Sequence, residues 1–421
     1  MPHLKLPVNT ASPEVMHIDL NSCFATVEQQ ARPLLRGRPV AITNRGTEYT
    51  CVVAASYEAK SQGVKVGMSF HDAKALAPDL VLVESDPPKY HHVYKILVDI
   101  MRSYSPHVTM KSIDEGVIDF AGVGQAVNSG SLEDIGYQIK RRLKDEVGRW
   151  MTCNVGIAPN RFLAKLAASL HKPDGLDVID HTNLRPTLSE LQLTDLSGIA
   201  ERNQARLNAA GIMTPLQFLD APADILRRRV FKSVCGDDWY QRLRGYEVDN
   251  HEWAVKTIGR QYVLEEMRPT DEMVRARLSY LCETTAMKLR YKNVCARGIF
   301  VYVRYSTGDY WYGRQMFKST FFTNQEVHRR ATLLFNRRPM DAYPREIGIS
   351  CYALTPSNLN QVSLLEEVNR QVWLTEAVDT INSQFGEFTI TSAASLSAKG
   401  TVKQKIPFGT TRYFELLCNR A

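Results

Sequence analysis

Met110-Lys-Ser-Ile-Asp-Glu-Gly-Val-Ile-Asp-Phe120 is the stretch on which the reading of the fold turns, because two adjacent carboxylates, Asp114 and Glu115, interrupt apolar, β-prone flanks. Val108 to Ile113 and Val117 to Phe120 read as two short strands. Successive side chains of a strand point to opposite faces, so the two acids share a target only if the chain turns between the strands. Gly116 permits a turn there. Holding like charges together is costly unless a cation compensates, which for oxygen ligands means Mg²⁺ or a similar hard ion. Taken alone, the three residues fit an exposed Asp-Glu-Gly hairpin tip without a role at least as well.

A second stretch, Glu14-Val-Met-His-Ile-Asp-Leu-Asn-Ser-Cys-Phe-Ala-Thr-Val-Glu28, changes that balance. Val15 to Leu20 reads as a strand with Asp19 near its carboxyl end, and Asn21 or Ser22 as the cap of the following helix. Together with Ser112-Ile-Asp-Glu115, the run Asp19-Leu-Asn-Ser-Cys-Phe24 resembles the first metal-binding motif of the Y-family, or translesion, DNA polymerases. Ala55-Ser-Tyr-Glu-Ala-Lys60, Gly156-Ile-Ala-Pro-Asn-Arg-Phe-Leu-Ala-Lys165 and His171-Lys-Pro-Asp-Gly175 are similar to further motifs of that family, in the same order. The resemblance covers nearly the whole chain, is strongest up to about residue 180, and is to bacterial polymerase IV and polymerase V catalytic subunits.

That resemblance implies a template-directed DNA polymerase carrying out low-fidelity translesion synthesis by nucleotidyl transfer at two ions of Mg²⁺, with Mn²⁺ as a substitute. It implies that Asp19 and Asp114 bridge the metals, that Glu115 holds the ion beside the primer 3′ hydroxyl, and that the Leu20 carbonyl completes the set. Tyr57 and Lys60 match the motif for the β- and γ-phosphates, and Lys172 matches a basic residue reaching the same nucleotide from the palm. Cys23 and Phe24 line the nucleotide in this reading, with Phe24 the steric gate against ribonucleotides. Lys60 replaces the commoner arginine, which keeps the charge and loses the bidentate fork. Lys165 reads either as support for this region or as a solvated helix lysine. Asn21 and Ser22 resemble the polymerase V branch, and Cys23, Gly116 and Val117 also depart from the usual pattern, yet no metal ligand is lost. A non-catalytic scaffold subunit, the alternative, would be expected to have lost those carboxylates.

Composition sets the outer bounds. A chain of 421 residues with 44% hydrophobic and 23% charged residues predicts a globular protein with two or more cores. No stretch has the length of a membrane span, and the scattered cysteines form no Cys-x-x-Cys pair, so we expect a soluble, cytoplasmic, nucleoid-associated protein with reduced thiols. Residues 1–250 hold 29 Lys+Arg and 29 Asp+Glu, whereas residues 251–421 hold 23 and 16, so the whole net charge of +7 lies in the last part. Either a polyanion-binding module or ordinary solubilising charge accounts for that excess.

Alternating strands and helices predict an α/β core followed by an α+β module, which in the resembling family is a right-handed polymerase. The expected partition is a flexible tail over 1–14, a palm over 15–31 and 90–185, fingers over 32–89, a helical thumb over 186–248, a linker over 249–254 and a little finger over 255–421. Leu193 to Ile212 resembles a helix–hairpin–helix whose Gly198 and Ile199 would meet a DNA phosphate, although a plain helical connector reads similarly and Ala200 replaces a glycine. Two β-α-β units are expected after Val255, where aromatics interleave with Arg304, Arg314 and Lys318 on a possible duplex-gripping face. Asn360-Gln-Val-Ser-Leu-Leu365 resembles a sliding-clamp peptide through Gln361, Leu364 and Leu365, or is an apolar loop. Primer–template DNA, deoxynucleoside triphosphates and a clamp are thus the expected partners of a monomer.

Overall fold

The computed structural model describes residues 6–44, 50–123, 130–251, 254–357, 366–386 and 388–398. They divide between two units that meet in sequence at His251 and Glu252.

The first unit opens with strand β1 (Val15–Leu20) and helix α1 (Cys23–Ala31). Next come β2 (Val40–Thr43), β3 (Val52–Ala55), α2 (Tyr57–Ser61), α3 (Phe70–Leu76) and β4 (Val81–Glu84). The chain then returns through α4 (Pro87–Arg102), β5 (Val108–Met110), β6 (Glu115–Asp119), α5 (Leu132–Glu146), β7 (Cys153–Ala158), α6 (Arg161–Leu170) and β8 (Leu176–Val178). β1 is the centre of a five-stranded sheet ordered β5-β6-β1-β7-β8, antiparallel to both neighbours. It is buried along almost its whole length: Met16, Ile18 and Leu20 enter the core shared with α1, α4 and α5, while Val15 enters the core under α6.

Gly156 of β7 sets how closely α6 can approach, since a methyl there would run into the backbone of Ala164 and Ala168. Gly116 has an analogous role rather than the expected one. The turn between β5 and β6 falls at Lys111 to Asp114, and Gly116 sits inside β6 opposite Met110 and Ile18. A Cβ on it would lie 2.6 Å from Met110 Sδ and 2.8 Å from Met101 Cε, so packing against methionines, not turning, requires glycine here.

A smaller three-stranded sheet, β3-β2-β4, packs with α2 and α3 around Ala41, Val52, Ala59 and Phe70. Asp86-Pro-Pro starts α4: Asp86 accepts from Lys89 N and Pro87 begins the first turn. Lys89 and Tyr90 therefore lie on the helix.

The helices α7 (Leu184–Ser189), α8 (Glu201–Ala209), α9 (Pro215–Asp220), α10 (Ala223–Ile225) and α11 (Cys235–Arg242) gather around Trp239, whose ring lies 5.3 Å from Phe162, 5.4 Å from Phe218 and 6.1 Å from Phe231. Residues 6–9, expected to be part of a flexible tail, are fastened here. Leu6 N donates to Tyr240 Oη at 3.0 Å, Arg244 Nε to the Leu6 carbonyl at 3.1 Å, and Asn9 N to the Arg244 carbonyl at 2.8 Å. Leu6 and Val8 also pack on this core, a burial too short to register as periodicity.

The second unit runs β9 (Thr257–Val263), α12 (Asp271–Tyr291), β10 (Val294–Tyr305), β11 (Tyr310–Phe321), α13 (Asn324–Phe335), β12 (Pro344–Pro356) and α14 (Glu366–Phe385). Both helix crossovers occur as expected, but β12 inserts between β9 and β10, so the order is β11-β10-β12-β9 and every neighbouring pair is antiparallel. α12 and α13 cover one face, burying Ile299, Val301, Val303 and Ile349. No described helix is long and apolar enough to cross a membrane. Cys23, Cys153, Cys282, Cys295 and Cys351 are buried free thiols, and Cys51 and Cys235 exposed ones.

Replacing Gly156 with Ala should push α6 off the sheet at a cost of about 2–3 kcal/mol. Denaturant melts of the variant should show a lower midpoint with an unchanged slope; an unchanged midpoint would mean that α6 is free to shift.

Candidate active site

The β1–β6 register pairs Asp19 directly with Glu115, which sends both side chains to the face crossed by α6. Asp114 is the last residue of the turn before β6, and its carbonyl accepts from Leu20 N at 2.8 Å, which fixes the turn to the end of β1. His17, two residues before Asp19, lies on the same face, buried, with Nε2 3.4 Å from Glu115 Oε2. Lys165 of α6 reaches Glu115 at 2.7 Å. On its own, burial would raise the Glu115 carboxyl, but hydrogen bonding and charge from His17 and Lys165 outweigh it and bring the group down to about 2.

Asp114 behaves oppositely. Its pKa is raised because it is buried, and because Asp19 and Glu115 stand close by, although the Ser112 hydroxyl, which bonds it, works the other way. Asp19 pairs with Lys172. Burial, and then the charges of Asp114 and Asp19, push the Cys23 thiol well above its ordinary value, so it stays protonated.

These groups rim one cavity of about 290 Å³. Asp19, Leu20, Cys23, Phe24, Tyr57, Lys60, Asp114 and Lys172 all line it, each of them singled out by the sequence. Glu115 is not in the lining and joins only through its pairing with Asp19. Ser56 caps α2 at the end of β3, which aims Tyr57 and Lys60 inward. Lys60 Nζ donates to Ser22 Oγ at 2.8 Å and lies 4.9 Å from the Tyr57 ring centroid. Burial and the Lys172 charge lower the Lys60 pKa.

Neither Asn21 nor Ser22 caps α1 through its side chain. Ser22 adopts φ 46° and its hydroxyl oxygen accepts from Lys60. Asn21 donates to Asn154 Oδ1 at 2.8 Å and accepts from Asp174 N at 2.9 Å, tying the first motif to the turn that carries Lys172. Lys140 and Lys144 hold that turn from below through Asp174. His17 was legible in principle from its two-residue spacing to Asp19; the Asn21 link spans 153 residues and had no local signal.

Among the described residues, no three His, Cys, Asp or Glu side chains already converge as a metal-binding group. The donor set nevertheless fits a hard divalent cation. It consists of carboxylates and a carbonyl, and Asp114 is buried beside Asp19 and Glu115, like charges that such an ion would relieve.

In the helical part, Gly198 adopts φ 96° and Ile199 is buried, its amide bonding the Leu196 carbonyl at 2.9 Å. In the second unit Arg304, Arg314 and Lys318 are exposed on one face with Phe300, Tyr302, Tyr310 and Tyr312, and Arg314 stacks 4.5 Å over Tyr352. Gln361, Leu364 and Leu365 lie outside the described residues.

Residues 18–169 match the impB/mucB/samB family and residues 255–364 its C-terminal domain. DNA polymerase IV of Moorella thermoacetica is 33% identical over 396 residues, which cover 92% of this chain and 97% of that protein. The chain belongs to the Y-family of DNA polymerases. It is a DNA-directed DNA polymerase of the translesion class, and dependence on a divalent metal comes with that membership. DNA polymerase IV 1 of Bacillus subtilis is 27% identical over 401 residues, covering 91% of this chain and 93% of that one. A solved Y-family polymerase chimera of Dbh and Dpo4 has the same fold, with a TM-score of 0.69 at 24% identity over 81% of this chain and 99% of its own. Asn21 and Ser22, despite their polymerase V flavour, thus stand in a Y-family chain with polymerase IV relatives.

The Glu115 carboxyl has a folded value of about 2 against an ordinary 4.5. The stability this supplies is therefore present above about 4.5 and is lost as pH falls towards 2. In chelator, Glu115→Gln should melt at lower denaturant than the parent at neutral pH, and the gap should close as the pH is lowered through that window. A gap independent of pH would contradict the ion pairing.

Proposed function

We propose that the cavity between β1, the β5–β6 turn and α2 is where an incoming deoxynucleoside triphosphate is joined to a primer. The observation that carries this reading is the pairing of Asp19 with Glu115 on one face, with Asp114 beside them and Lys60 and Lys172 on the wall of the same cavity. Asp19, Asp114, Glu115 and the Leu20 carbonyl would hold two divalent ions, Mg²⁺ or Mn²⁺. Such ions supply stabilisation of the attacking and leaving oxygens of an in-line displacement. Lys60, Tyr57 and Lys172 bind the triphosphate, and Lys172 leaves Asp19 to do so. Lys165 and His17 hold Glu115 in place. Phe24 closes the cavity against the 2′ hydroxyl of a ribonucleotide.

The finer assignments belong to the same proposal. The palm is 15–31 and 90–185, the fingers 32–89, the thumb 186–248 and the little finger 255–421. Gly198 and Ile199, with Arg304, Arg314 and Lys318, contact DNA phosphates. That role is supported by the open hairpin turn at Gly198 and by the basic, aromatic sheet face of the second unit. Gln361, Leu364 and Leu365 hook a sliding clamp, and the enzyme works as a cytoplasmic, nucleoid-associated monomer.

Two substitutions test the site. Asp114→Asn should lower primer extension at least about a hundredfold while leaving the affinity for primer–template DNA intact. Extension near the parent's rate would refute the carboxylate assignment. Phe24→Ala should raise the efficiency of ribonucleotide relative to deoxyribonucleotide insertion in a single-turnover assay. If Phe24 were merely core, the lost packing of about 3–5 kcal/mol would depress both insertions together and leave their ratio unchanged.

A further inference from the structure

Phe24 does not stand alone. Its ring stacks on Tyr90, with centroids 4.6 Å apart and planes 20° apart, and Tyr90 is fully buried. The Tyr90 hydroxyl donates to Glu28 Oε1 at 3.0 Å. Glu28 follows Phe24 by one helical turn on α1, so a single tyrosine spans both residues, its ring on one and its hydroxyl on the other. The Glu28 carboxylate is itself completely buried. It is held by Lys89 at 2.8 Å, the neighbour of Tyr90 on α4, and more distantly by Arg32 at 3.6 Å. A buried carboxylate must keep its partners, so the hydrogen bond from Tyr90 is charge-assisted and hard to give up. Tyr90 consequently cannot slide along Phe24 without breaking it.

Resting on the reading of Phe24 as the sugar gate, we propose that Glu28 and Tyr90 are positioning residues for sugar selection. Glu28 anchors Tyr90, Tyr90 backs Phe24, and the fixed ring leaves no room for a 2′ hydroxyl. A gate built on steric overlap discriminates only if it cannot yield. A phenylalanine free to tilt by a few tenths of an ångström would admit the extra oxygen, while the deoxyribose, which never presses on the ring, would bind as before. Neither Glu28 nor Tyr90 lines the nucleotide cavity. Their effect therefore passes through Phe24.

The test is kcat/KM for single insertion of a deoxyribonucleotide and of the matching ribonucleotide opposite the same template base, in the full-length enzyme. The parent, Phe24→Ala, Tyr90→Phe and Glu28→Ala are compared. Tyr90→Phe removes one oxygen, keeps the stacked ring and leaves Glu28 paired with Lys89, so it retains the fold even if Glu28→Ala does not. The expected result is a rise of about tenfold in the ribonucleotide-to-deoxyribonucleotide ratio in Tyr90→Phe, the low end of what a shape-selective pocket contact is worth. Glu28→Ala should match it, and deoxyribonucleotide insertion should stay within about threefold of the parent. A residue that only stabilised the fold would lower both efficiencies and leave the ratio alone. If Phe24→Ala raises the ratio and Tyr90→Phe does not, the proposal is overturned and the gate stands. Should Phe24→Ala leave the ratio unchanged, the gate and the proposal fall together.

Discussion

Two carboxylates on adjacent strands of one sheet, Asp19 and Glu115, face the same way because of a single register, and most of the first unit is arranged around that fact. Like charges in a partly buried place repel, and three neighbouring segments bring basic groups against them. α6 brings Lys165, β1 itself brings His17, and the turn after α6 brings Lys172. The compensation is uneven. Glu115 is drawn far down in pKa by His17 and Lys165, whereas Asp114, buried and close to Asp19 and Glu115, is pushed up.

The same economy explains why glycine occurs at close approaches. Gly156 lets α6 lie near enough for Lys165 to reach Glu115, and Gly116 lets the methionines of α4 and β5 close over β6. Sequence position gives the charges, and backbone proximity sets their distances. Around the cavity, polar links between distant segments do the remaining positioning: Ser22 with Lys60, and Asn21 with Asn154 and Asp174.

How much of this was legible in the sequence follows from the range of each interaction. β1 was readable over its full range, Val15–Leu20, because its strand-forming run stops at a helix-cap signal. The cavity residues Asp19, Phe24, Tyr57, Lys60, Asp114 and Lys172 were readable because they lie in short ordered motifs. Gly116 was misread as a turn, since a glycine needed for packing and one needed for a positive φ look the same in a sequence. The strap over 6–9 and the Asn21 link were invisible for another reason: each is closed by partners more than a hundred residues away.

The strap has a mechanical consequence. Asn9 bonds to both Arg244 and Gly245, so the chain enters the first unit and prepares to leave it at one point on the surface. Tension applied along the polypeptide from either side therefore loads a few backbone hydrogen bonds at that knot, one after another, as in opening a zip. The five-stranded sheet lies inside the closed loop, out of the line of force. A pull strong enough to peel residues 6–9 away would spend itself there before either strand carrying Asp19 or Glu115 felt shear.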